Sequence, residues 1–268
     1  MTPAEQPAAA TLNAPSHWRS IECVSDLHLK SADSPTFVAF ERYLQRSSAD
    51  ALLILGDLFE AWVGDDAIAD PFEQRCLALL QRAAQTRFVG FMRGNRDFLV
   101  GQDFLDACCA TALHDPCVLT AFGQRFVLTH GDAWCLADTA YQNYRAQVRS
   151  SAWQTAVLSQ PLAVRRELAA RIRATSEAQR AHPHEAAHTH HSHAPETWAD
   201  IDRPTAIAQL QSAHAHTLIH GHTHQPTHEA LATRLDRWVL SDWDLNAHPP
   251  RADVLRLSAS GVQRQHPF

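Results

Sequence analysis

The sequence predicts a sheet-centred α/β fold interrupted by a helical insertion. Three observations lead there. Early in the chain, short apolar runs bounded by turn residues alternate with stretches at helical spacing. Late in the chain, strand-like runs dominate. Between them, residues 139–202 form a helical, arginine-rich block that breaks the alternation.

The elements follow in order. Residues 1–18, rich in Ala and Pro, read as a disordered tail, and 19–268 as one domain. "SIECVSD" (20–26) reads as a strand ending at an acid. "SPTFVAFERYLQRS" (34–47) is a helix with Ser34 and Pro35 as start signals. "ALLILGD" (51–57) is the continuous apolar run of a strand covered on both faces. Residues 71–85 are a helix, 87–95 a strand running into a glycine turn, and 117–132 a hairpin around Gly123. Residues 139–180 are amphipathic helices, with Trp153, Val157, Leu158, Leu162, Val164, Leu168 and Ile172 available to one side. A helix at 203–213, a strand and loop at 216–224, and strands at 237–244 and 252–258 close the chain.

Composition narrows the function. With 268 residues, 45% of them hydrophobic, the chain can bury a sizeable core. A formal charge of −6 argues against general nucleic-acid binding. The charge is uneven. Residues 141–180 hold seven arginines against Glu167 and Glu177, a local +5 that leaves −11 elsewhere. Such a segment suggests an anionic partner or surface. The six cysteines form no CxxC pair, and the first residues contain no apolar signal region, so reduced thiols in the cytoplasm are expected. No run reaches the roughly 18 consecutive apolar residues that a membrane span needs.

Five strands end in polar residues of one kind. They are "SDLH" (Asp26, His28), "GDLFEAW" (Asp57), "GNRDF" (Asn95, Arg96, Asp97), "THGD" (His130, Asp132) and "GHTH" (His222, His224). One such ending alone is ordinary turn chemistry. Together they put carboxylates, an amide and imidazoles where α/β sheets bind ligands, a mixed oxygen and nitrogen set suited to Mn²⁺, Fe²⁺ or Zn²⁺. In "DLH" and "HTH" the outer residues stand at i and i+2, which share one side of an extended segment. "HEAAHTHHSHA" (184–194) has neither strand nor glycine turn and reads as a loop, with a metal-binding role resting on composition alone.

The order D-x-H, G-D, G-N-x-D, H-G-D, G-H-x-H resembles the calcineurin-like metallophosphoesterases over about residues 20–265. "LILGDLFEAWVGDD", "RGNRDFLVG" and "IHGHTHQP" are similar to the branch acting on UDP-2,3-diacylglucosamine in lipid A biosynthesis. Arg96 stands where generic members carry histidine. The resemblance implies a metallophosphoesterase β-sandwich core flanked by helices, with a helical lid over about 139–202. It implies two Mn²⁺ per chain, one held by Asp26, His28, Asp57 and His224, the other by Asp57, Asn95, His130 and His222, with Asp57 bridging. Asp57, Asn95, Arg96 and His222 would be catalytic. Asn95, Arg96, Asp138, Ser176, Arg180 and His222 would bind the substrate, although Arg180 replaces the branch's Asn and Pro183 a basic residue. The implied reaction is water attack at the α-phosphorus of a nucleotide-linked glycolipid, releasing UMP, by a monomer peripheral to the cytoplasmic face of the inner membrane. The competing functions are a phosphodiesterase or phosphatase for a soluble substrate, and a non-catalytic His-rich metal-binding protein.

Overall fold

The computed structural model describes residues 10–181 and 199–267, apart from the side chains of 175–181. Two six-stranded sheets pack face to face. One runs β12 (Gly261–Gln265), β11 (Val254–Ser258), β2 (Ile21–Val24), β3 (Ala51–Leu55), β4 (Phe88–Met92), β5 (Thr111–Leu113). The other runs β1 (Ala10–Asn13), β6 (Cys117–Ala121), β7 (Gln124–Thr129), β8 (Thr217–His220), β10 (Leu235–Val239), β9 (Thr227–Ala232).

Side-chain alternation along the strands sorts the core into layers. In β3, Ala51, Leu53 and Leu55 join Leu119, Phe126, Leu128 and Ile219 between the sheets. Leu52 and Ile54 point the other way, onto Phe40 and Leu44 of α1 (Pro35–Arg46) and Leu79 and Leu80 of α2 (Pro71–Ala84). Each buried Leu, Ile or Phe among them stabilises the fold by about 1.5–3 kcal/mol, before entropy is counted. The second sheet's outer face sets Val118, Val127 and Leu218 on Ala206 and Leu210 of α7 (Arg203–Ser212).

Local signals act as the sequence suggests. Ser34 Oγ accepts the Phe37 amide at 3.2 Å, and Pro35 opens α1. The β6–β7 hairpin turns on Phe122 (φ 54°) and Gly123 (φ 74°), the two left-handed positions of a turn that follows the strand twist.

Some expectations are corrected. The tail reading of 1–18 fails from Ala10, because Ala10–Asn13 pairs in parallel with Cys117–Thr120 as an edge strand. α3 (Gln102–Cys108), β5, β9 and β12 were not expected, being short or half-exposed. The insertion forms α4 (Thr139–Val148), α5 (Ser151–Leu158) and α6 (Leu162–Ala181). Its apolar residues divide. Trp153, Val157, Leu168 and Ile172 line a cleft against the core, whereas Leu158 and Val164 are exposed.

The basic segment is also partnered from within. Arg145 Nε donates to Asp132 Oδ2 at 2.8 Å, and Arg149 to the Gly94 carbonyl at 2.8 Å. Arg165, buried, donates to Val63 O and Asp66; Arg166 pairs with Asp70 and Arg173 with Glu60. Five of the seven arginines therefore tie the insertion to core acids and carbonyls, where the charge count suggested an external anion.

Candidate metal centre

β2, β3 and β4 run parallel, as do β7 and β8, so their carboxyl ends present the polar loops together. The backbone there is not extended. Asp26, His28, Asp57, His222 and His224 all have positive φ, between 48° and 65°. Left-handed kinks stand at both members of each i, i+2 pair, which corrects the premise of extended segments. Each such conformation costs a non-glycine residue on the order of 1–2 kcal/mol, a strain typical of functional loops. Two glycines allow the loops to close: a Cβ on Gly94 would lie 2.1 Å from Asp57 Oδ1, and one on Gly221 would lie 2.3 Å from Asp26 Oδ2.

The side chains converge. Asp26, His28 and His224 offer ligand atoms within 4.8 Å of one another, and so do Asp26, Asp57 and His130. Asp26 thus belongs to both groups, while Asp57, expected as the bridge, falls in the second. Asn95 Oδ1 lies 2.9 Å from both His130 Nε2 and His222 Nδ1. The seven expected ligands are brought to one place.

Hydrogen bonds aim them. Asp26 Oδ2 accepts from Ser25 Oγ at 2.5 Å and from the His222 amide at 2.9 Å. Its Oδ1 is buried without a hydrogen-bond donor, facing His224 Nε2 at 3.3 Å and His28 Nε2 at 3.9 Å. Those two Nε2 atoms are themselves 3.2 Å apart. His130 Nδ1 lies 2.9 Å from the Leu55 carbonyl; donating there leaves Nε2 as the free nitrogen. An unsatisfied carboxylate oxygen and imidazole nitrogens aimed at one point fit a divalent cation.

Burial and mutual charge shift the whole set. Burial pushes the Asp57 carboxyl up to about 7, against the pull of His130. Burial opposes charge on Asp26 too, but the His224, His130 and His28 imidazoles hold it below the usual carboxylate range. Burial, then the neighbouring His130, pushes His222 down to about 3, which keeps its imidazole neutral. Burial also lowers His130, but Asp57, Asp26, Asp132 and Asp115 outweigh it and raise the group to about 9.

Around the centre, Arg96 donates its amide to Asp57 Oδ1 at 2.8 Å and lines the cleft, its buried Nε without a protein acceptor. Asp97 is a strut, with Oδ1 accepting from Gly94 N and Oδ2 from Leu58 N. Asp138, expected at the substrate, is exposed and accepts the Tyr141 amide as the N-cap of α4. Ser176 and Arg180 lie in α6, but their side chains, like the 184–194 tract, are outside the described residues. His220 is buried beneath the loop, and His228 stacks on Trp238. Sequence reasoning missed Glu60, whose carboxylate faces His28, and the contact of Asp132 with Tyr141. Glu60's only sequence signal was its place in "GDLFEAW".

A family model for calcineurin-like phosphoesterases matches residues 20–226. A UDP-2,3-diacylglucosamine hydrolase of Ralstonia nicotianae is 42% identical over 270 residues, covering 98% of each chain. One from Chromobacterium violaceum is 40% identical and covers 91% of this chain and 97% of its own. Among solved structures, an archaeal phosphodiesterase aligns over 92% of this chain and 98% of its own, with 10% identity and a TM-score of 0.45. The chain belongs to the calcineurin-like phosphoesterase family, in the branch of the UDP-2,3-diacylglucosamine hydrolases.

Proposed function

We propose that the chain hydrolyses UDP-2,3-diacylglucosamine, with water attacking the α-phosphorus to give UMP and 2,3-diacylglucosamine 1-phosphate. The relatives' activity supports the substrate. The observation that carries the reading is a cage of acids and imidazoles opening beside a largely apolar cleft roofed by the insertion.

Bound divalent ions would supply a Lewis acid for the phosphoryl oxygens and a water acidic enough to react near neutral pH. Asp26, His28, Asp57 and His224 would hold one ion. Asp57, Asn95, His130 and His222 would hold the other, with Asp57 common to both sets. The mixed oxygen and nitrogen donors suit Mn²⁺, Fe²⁺ or Zn²⁺, and the family resemblance points to manganese among them. Arg96 would bind the developing charge on the phosphoryl oxygens, a role its fixed charge and buried Nε support. Asn95 and His222 would orient the same group.

The cleft wall of Trp62, Phe98, Trp153 and Ile172 would take acyl chain, each buried CH₂ contributing about 0.8 kcal/mol. Ser176, Arg180 and Asp138 would contact the sugar and phosphate. Among the described residues no helix is long and apolar enough to cross a membrane. A monomer resting on the inner membrane's cytoplasmic face, through exposed Leu158 and Val164, would reach a lipid substrate. A phosphoesterase for soluble substrates has no use for this cleft, and a metal buffer has no use for Arg96.

The test is UMP release from the glycolipid by chelator-stripped protein as Mn²⁺ is restored, beside cleavage of a small aryl phosphodiester. Metal-dependent release with strong preference for the glycolipid is expected. Cleavage of the small diester alone would reject the reading.

A further inference from the structure

We propose that Glu60 is the positioning residue of His28 and the route by which the insertion reaches the metal site. The inference rests on the proposed metal role of His28. Beyond β2 and β3 the two loops continue to pair: His28 N donates to Asp57 O at 3.1 Å, Leu29 N to Leu58 O at 2.9 Å and Glu60 N to Leu29 O at 3.0 Å. This pairing fixes Glu60 beside His28. His28 Nε2 faces Asp26 and His224, while Nδ1 points away, buried with no hydrogen-bond partner, 3.7 Å from Glu60 Oε2.

An imidazole that ligates through one nitrogen needs an acceptor for the N–H of the other. Glu60 is the carboxylate in reach, and a small rotation closes the gap. That bond would fix the tautomer, direct the Nε2 lone pair at the ion and make it a stronger donor. Glu60 Oε1 meanwhile pairs with Arg173 of α6, in a setting where Glu60 and Arg173 are each about one-fifth exposed. Arg173 therefore holds the carboxylate that holds the ligand. Two carboxylate oxygens serve two elements: one the metal loop, the other the roof of the cleft.

The experiment is calorimetric Mn²⁺ binding to chelator-stripped protein, with thermal melts of the metal-free forms to check folding. The wild type should bind two ions. Glu60→Ala should weaken one of the two binding events by about 10- to 100-fold and spare the other. Glu60→Gln, which keeps an acceptor oxygen, should fall between. Arg173→Met should weaken the same event by less. Added to Glu60→Ala it should weaken it no further, because its effect passes through Glu60. A wild type that takes up no manganese overturns the metal reading and this one with it. Two ions bound normally, with Glu60→Ala within about threefold of wild type, overturn the Glu60 role alone. Losses that multiply in the double variant overturn the route through Glu60.

Discussion

Asp132→Ala should release the insertion from the core. Asp132 is fully buried, and its Oδ2 accepts from Arg145 Nε at 2.8 Å and from the Tyr141 hydroxyl at 2.7 Å, both on α4. A hydrogen bond to a charged group contributes about 1.5–3 kcal/mol, and a buried donor left unsatisfied costs about 1–3 kcal/mol. Arg145 is 24% exposed and regains some water, so the lower half of that sum applies, about 3 kcal/mol. For a chain this size the melting temperature should fall by roughly 6–12 °C. Scanning calorimetry and urea titration would measure it, while hydrogen exchange should quicken in α4. Tyr141→Phe removes only the hydroxyl and should cost about 1.5–3 kcal/mol. A loss below about 1 kcal/mol for Asp132→Ala would refute the idea that this carboxylate anchors the insertion.

Other outcomes follow from the same contacts. The Arg165 guanidinium holds the Asp66 carboxyl below its ordinary value. A carboxyl lowered in the folded state adds stability above its unfolded pKa and loses it as pH falls through the folded one. The urea midpoint of Asp66→Asn should thus lie below wild type at pH 7, and the gap should narrow as the pH falls below the ordinary carboxyl value of about 4; a gap unchanged at low pH would sink this assignment. Replacing residues 184–193 with a Gly/Ser linker should leave metal-dependent turnover within about tenfold, and a larger loss in a turnover assay would mean the tract is a working site. Arg180→Ala should lower kcat/KM for the glycolipid by about one to two orders of magnitude and leave a small diester unaffected. Equal loss on both substrates would assign Arg180 to the fold.

What could be read from the sequence depended on how locally each feature is determined. β3 was legible because burial on both faces makes "ALLIL" uniformly apolar. The candidate cluster was legible because each strand end carries its polar residue a step or two past the apolar run. β1 was not, because "ATLN" is a four-residue edge strand whose partner begins more than a hundred residues later at Cys117. Five of the seven arginines of 141–180 were misread for a related reason. A window of charge cannot show that Asp132, Asp66, Asp70 and Glu60 wait across the fold. The extended backbone assumed for the Asp26/His28 and His222/His224 pairs was wrong, since left-handed kinks leave no periodic trace in a sequence. Glu60 was hidden by its neighbour: with Asp57 three residues before it, one acid explained the motif.

The fate of solvent oxygen tests the central claim most directly. Metal-restored protein would hydrolyse UDP-2,3-diacylglucosamine in ¹⁸O-enriched water, and both products would be weighed by mass spectrometry. Attack at the α-phosphorus puts one ¹⁸O into UMP and none into the glycolipid phosphate. Label in the glycolipid phosphate, or no metal-dependent UMP at all, would contradict the account.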